Sequence, residues 1–125
     1  MKHIKAIALL LVFLILACAK EHTKDDVLVI MRFQDSTQFA AILTFEDSLR
    51  ADLSSKSLGE IVLRTYDKDS NQVDFSMETF TQERLYKEIR RLSLSNPSMG
   101  GTRVDVFFGL PQSDGRRKEH YIVGE

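Results

Sequence analysis

The sequence predicts an α+β domain in which an antiparallel sheet carries two helices on one face. Three observations lead to this. A β-branched, near-continuous apolar run extends from Val27 to Phe33. Two stretches repeat their apolar residues at helical spacing, and two pairs of short apolar segments are each joined by a polar turn.

Val27-Leu28-Val29-Ile30-Met31-Arg32-Phe33 has strand length, and its near-continuity suits a central strand covered on both faces. Residues 36 to 53 contain an alternating set, Phe39, Ala41, Leu43 and Phe45, which as a strand would give a more β-rich domain. At about 100° per residue, however, Phe39, Ile42, Leu43, Phe45, Leu49 and Leu53 share one arc, with Thr44, Asp47, Ser48 and Asp52 opposite, so a helix fits better. Asp35 followed by Gln38 adds a capping-box start. Ile61 to Tyr66 is the next strand. The turn Asp67 to Asn71 makes a hairpin with the segment in which Val73, Phe75 and Met77 alternate with Gln72, Asp74 and Ser76. Residues 79 to 92 read as a second helix, with Leu85, Ile89 and Leu92 on a narrow stripe and Thr79 and Gln82 as its capping pair. Asn96-Pro97 and Gly100-Gly101 end the helical region, and Val104 to Phe108 then pairs with Glu119 to Val123 around Ser113-Asp114-Gly115. The order is that of a ferredoxin-like β-α-β-β-α-β sandwich plus a C-terminal strand.

Ahead of this domain, Met1 to Lys5 are basic and Ala6 to Ala17 form an apolar run of twelve residues. That is the length of a signal-peptide core and short of the roughly 20 residues a membrane-spanning helix needs. The run ends Ile15-Leu16-Ala17-Cys18, and Cys18 is the single cysteine of the chain. With a branched aliphatic three places before the cysteine and a small residue just before it, the segment resembles the signal peptide of bacterial lipoproteins. The resemblance implies removal of residues 1–17 and acylation of Cys18, palmitate being a typical acyl chain. Several chains on one residue give stable anchoring where a single chain binds marginally. It also implies that Ala19, rather than Asp, directs the protein to the outer membrane, facing the periplasm, in a cell with two membranes. The chain thus divides into a signal peptide (1–17), a lipidated cysteine with a polar tether (18–26) and one α+β domain (27–125).

Removal of the signal leaves 108 residues, enough for one core without disulfides, and a lone cysteine in an oxidising compartment forms no internal bridge. The mature part holds 15 basic and 18 acidic residues, a balance that does not suggest nucleic acid. The tether Ala19 to Asp26 spans at most about 28 Å fully extended, so the domain works close to the bilayer.

Chemistry-bearing motifs are sparse. Asp67, Asp69, Asn71 and Glu78 match the first, third, fifth and twelfth ligand positions of a calcium loop. Gln72 stands where that loop needs glycine and a strand precedes it, so the turn chemistry of Asp and Asn explains the same residues and no metal or other cofactor is expected. His22 and His120 are the histidines of the mature chain, and no nucleophile–base pairing is visible. Ser93, Ser95 and Ser98 read as loop residues. Glu46 is best explained as the i,i+4 partner of Arg50. Arg116-Arg117-Lys118 is the concentrated basic patch, suited either to a solvated hairpin tip that protects an edge strand or to anionic headgroups.

No catalytic set is therefore expected. The expected function is that of a membrane-anchored envelope lipoprotein acting as a non-catalytic protein-binding module: an accessory subunit, an inhibitor or an immunity-type protein. Its partner is another envelope protein or a second copy of itself. The alternative is a small ligand-binding or enzymatic domain acting on envelope lipid or peptidoglycan. Strand alternation turns Leu28, Ile30 and Phe107 away from the helices, with Val62 and Tyr66 farther across the sheet, as a candidate interaction patch.

Overall fold

The computed structural model describes residues 24–110 and 115–125. The signal segment, Cys18, His22 and the Ser113-Asp114 part of the predicted turn lie outside the described residues.

The elements in chain order are β1 (Asp25–Arg32), α1 (Phe39–Ser55), β2 (Glu60–Asp67), β3 (Gln72–Thr79), α2 (Gln82–Leu94), β4 (Arg103–Phe108) and β5 (Lys118–Ile122). They form an α+β fold with one five-stranded sheet in the order β2-β3-β1-β4-β5, every neighbouring pair antiparallel. β1 is central, which accounts for its near-continuous apolar sequence. Val27, Val29 and Met31 are buried, while Leu28 and Ile30 on the opposite face are half-buried.

The core forms where the alternating residues of β1, β3 and β4 meet the apolar arcs of the helices. Val73, Phe75, Met77, Val104, Val106 and Phe108 join the β1 set against Ile42, Phe45, Leu49 and Leu53 of α1 and Leu85 and Ile89 of α2. The 39–45 segment is helix, as the arc of six apolar residues favours over strand alternation. The capping box is present on a 3-10 turn, Ser36–Gln38, that leads into α1: Asp35 Oδ1 accepts from the Thr37 amide at 3.0 Å, and Gln38 Oε1 accepts from the Asp35 amide at 3.4 Å.

Two expectations need correction. The second helix begins at Gln82 with Thr81 as N-cap, not at residue 79. Thr79 is instead the buried last residue of β3. Its hydroxyl donates to the Leu58 carbonyl at 2.6 Å and accepts from the Thr81 amide at 2.9 Å, pinning the α1–β2 connection to the start of α2. At the same crossing Gly59 has φ +141°, and a Cβ there would collide with the Glu78 carbonyl oxygen, so only glycine lets the connection lie so close to β3.

The second correction concerns β2. Its pairing with β3 shifts between Ile61 and Leu63, leaving Val62 as the extra residue of a β-bulge. Beyond the bulge, Leu63 and Thr65 lie opposite Ser76 and Asp74 on the open face, whereas Arg64 and Tyr66 lie opposite the buried Phe75 and Val73. Tyr66 therefore belongs to the helix side of the sheet, not the open face. Its ring stacks on Phe39 at 4.0 Å between centroids and on Phe33 at 6.2 Å.

Candidate functional site

The sheet face turned away from the helices is organised in rows that run across the strands. Nearest the start of β1 are Glu60, Glu78 and Asp26. The next row is Leu63, Ser76, Leu28, Phe107 and Lys118; the third is Thr65, Asp74, Ile30, Asp105 and His120; the fourth is Asp67, Gln72, Arg32, Arg103 and Ile122. Leu28 and Phe107 of the candidate patch are thus a direct cross-strand pair.

The face is less apolar than alternation suggests, because charged groups close around two of its positions. Phe107 carries the Arg116 guanidinium 4.4 Å from its ring centre and the Lys118 ammonium at 5.3 Å, in the geometry of cation–π contacts. Asp105, beside Ile30, has a side chain only 2% exposed although no helix covers it. Arg32 reaches its Oδ2 at 2.9 Å and Arg103 at 3.3 Å, and the Lys118 ammonium stands 3.8 Å from Oδ1. One buried acid thus holds three exposed cations side by side. This cluster was missed at the sequence level; the signal for it is a lone aspartate inside the apolar strand Val104 to Phe108.

At the β2 edge the bulge leaves Val62 and Leu63 consecutively exposed, at 57% and 56%. The edge strand is held by side chains more than by core burial. Glu46 on α1 accepts from Arg64 at 2.8 Å and from its expected partner Arg50 at 2.9 Å. The Phe39–Tyr66 stack fastens its far end.

The residues of the basic patch have separate roles. Arg117 pairs with Glu83 of α2 and, at 3.2 Å, with Glu119. Arg116 and Lys118 flank Phe107 instead. Close by, a groove of about 240 Å³ is lined by Asp26, Val27, Leu28, Ser76, Met77, Gly109 and Leu110.

The residues weighed for catalysis are engaged in structure. Ser93 is buried, with its hydroxyl 2.7 Å from that of Tyr121; burial pushes the Tyr121 phenol up to about 12 despite this hydrogen bond. The Ser95 hydroxyl donates to the Leu92 carbonyl at 2.9 Å, and the Ser98 amide donates to Asn96 Oδ1 at 3.2 Å. A cleft of about 260 Å³ between the helices is lined by Thr44, Phe45, Ser48, Leu92, Ser95, Asn96 and Pro97, a set without an acid or base. His120 is exposed on the open face opposite Asp105.

Asp67 uses its carboxylate to build the turn, accepting from the Asp69 amide at 3.1 Å and the Ser70 amide at 3.4 Å; the Ser70 hydroxyl first, and then these amides, hold its pKa below the usual range. Glu78 lies opposite Glu60, at the other end of β3 from Asp67, so the four calcium-loop positions do not converge. Among the described residues no group of three acids, histidines or cysteines is placed to hold a metal ion.

Comparisons of the chain with protein-family models, with curated proteins and with solved structures returned no match.

Proposed function

We propose that this chain is a lipid-anchored protein of the bacterial cell envelope whose domain is a non-catalytic protein-binding module, an accessory subunit, inhibitor or immunity-type protein. The observation that carries the binding role is the β2 edge. Val62 and Leu63 are both more than half exposed on a strand with one free backbone edge, and Leu63 starts the row that continues through Ser76 to Leu28 and Phe107. An exposed apolar edge is a hazard unless something covers it, and extended partners add to such edges through main-chain hydrogen bonds. The bulge twists the edge and limits indiscriminate pairing, which suits a specific partner better than an open-ended one.

The test is a photo-crosslinking side chain at position 63 of the full chain, activated in intact envelopes, with position 68 in the β2–β3 turn as control. One discrete adduct of defined mass is expected at 63 and none at 68. Val62→Lys together with Leu63→Lys should weaken that association at least tenfold, about 1.4 kcal/mol, while the purified domain keeps its circular dichroism. A folded double variant that still purifies with the same partner and in the same oligomeric state would remove this edge as the interface.

A further inference from the structure

We propose that the mature protein rests on its bilayer with the end of β4 and the start of β5 downward, so that Leu110, Arg116 and Lys118 meet the headgroups of an anionic membrane. This rests on the reading of Cys18 as the lipid-bearing start of the mature chain.

The geometry begins with tether length. The seven residues Cys18 to Lys24 span at most roughly 25 Å, about the length of an eight-residue strand such as β1. The end of the sheet at which β1 begins therefore faces the bilayer, and the Asp67–Asn71 turn, which meets the other end of β1 through the Phe33 amide and Asn71 carbonyl, points away. Register then decides what lies at the membrane end. Val27 is opposite Phe108, the Gly109 amide donates to the Asp26 carbonyl at 2.8 Å, and the Phe108 amide donates to the Arg117 carbonyl at 2.9 Å. β4 thus ends and β5 starts beside the first residues of β1.

The chemistry of that end is asymmetric. Its β1–β2–β3 side carries Asp25, Asp26, Glu60 and Glu78 against one cation among the described residues, Lys24, which pairs with Glu60 at 3.0 Å and lies over the exposed Phe80, so that side keeps a net negative charge. Its β4–β5 side carries Leu110, 54% exposed, with Arg116 and Lys118 on either side of Phe107. Arg117 is neutralised by Glu83 and Glu119 and Lys118 stands 3.8 Å from Asp105, whereas Arg116, half-buried against Phe107 with its Nη1 buried and without a hydrogen-bond partner among the described residues, has no carboxylate beside it there. Repulsion on one side and attraction on the other tilt the domain onto β4 and β5. Cations backed by an aromatic ring and flanked by an exposed aliphatic suit the headgroup layer, where long basic side chains reach phosphate while apolar atoms enter the acyl boundary. A bilayer is favoured over an acidic protein because the tether holds the bilayer permanently within reach.

Because Cys18 is the single cysteine, an introduced thiol is unique once Cys18 is acylated. Full-length, lipidated Leu110→Cys and Lys68→Cys, each carrying an environment-sensitive fluorophore, are placed in phosphatidylcholine vesicles with or without phosphatidylglycerol. The label at 110 should shift to the blue and be quenched by brominated acyl chains when phosphatidylglycerol is present, and lose both effects at high salt. The label at 68 should remain water-like. Arg116→Glu with Lys118→Glu, and the milder Arg116→Gln with Lys118→Gln, should abolish the shift while the protein still floats with the vesicles. A water-like label at 110 on floating protein, or a shift that survives both charge variants, overturns the orientation alone. A chain that floats with neither vesicle overturns the anchor and the orientation together.

Discussion

Glu88 on α2 is almost buried yet remains ionised, because Arg91 donates to it and Lys56 reaches it from the end of α1 at 3.3 Å. Arg91 is the main reason that its pKa falls from the ordinary 4.5 to about 2, with burial opposing; Asp52 shares the same two cations at 3.0 Å from Arg91 and 3.8 Å from Lys56. A carboxylate whose folded pKa lies below its unfolded one stabilises the fold above the unfolded value, and that stability drains away as pH falls toward the folded value. The slope in stability should therefore run from about pH 5 down to about pH 2. Glu88→Gln should cost about 1 kcal/mol at pH 7, a figure kept small because the cations themselves are half-exposed, and should match the parent at pH 2. Urea unfolding across that range checks it; parallel curves for the two proteins would contradict it. Of the ionic groups, helical spacing disclosed Glu46 with Arg50, while Asp52 with Lys56 and Glu88 with Arg91 share that spacing and were not read from it. It did not disclose Glu46 with Arg64, or Asp105 with Arg32, Arg103 and Lys118, because a cross-element pair depends on register and helix placement that no local spacing encodes.

Among the elements, β2 shows how far local pattern reaches. Its existence and its hairpin with β3 follow from apolar content and from Asp and Asn turn chemistry, and both are present. Its facing is not legible, because strict alternation puts residues 62, 64 and 66 on one side, whereas the bulge groups Ile61, Arg64 and Tyr66 on the helix side. Nothing in Glu60 to Asp67, which lacks glycine and proline, announces the bulge. The start of α2 was misplaced for a related reason: Thr79 and Gln82 match a capping spacing, but the Leu58 carbonyl and the Thr81 amide claim the Thr79 hydroxyl. The facing of β2 carries an energetic consequence. With one strand neighbour and most of its residues exposed, β2 depends on the Glu46–Arg64 pair and on the Tyr66–Phe39–Phe33 stack. Tyr66→Ala should cost about 1 to 2 kcal/mol, less than a fully buried aromatic because Tyr66 is partly exposed. The loss should be local. Amide exchange in β2 should rise about tenfold or more while β1 amides change only with the global stability. Uniform acceleration across the sheet would show that β2 and the core open as one unit.

At the scale of the whole chain, the number and order of elements and the central place of β1 were readable because they rest on long periodic segments and on one buried face shared by β1, β3 and β4. The open face was readable only as a list of outward positions. Its division into an acidic side, an apolar row and a cationic cluster appears once register brings Asp105 and the β4–β5 cations together. The proposed anchor lies in a different part of the chain from the described domain, and that separation makes it testable. Among the described residues every core residue falls between Val27 and Val123. Cys18→Ser should therefore remove acylation, yielding an unprocessed or unlipidated species, while domain stability stays within about 0.5 kcal/mol of the parent, as for surface changes remote from any packing or capping group. Intact-mass measurement of the wild-type chain should show loss of residues 1–17 with added acyl mass on Cys18, and fractionation should move the variant out of the wild type's membrane fraction if it is processed. A wild-type mass that shows cleavage at another residue and no acyl chains would remove the anchor. A full-length chain that stays membrane-bound with serine at position 18 would instead make the apolar segment 6–17 the tether.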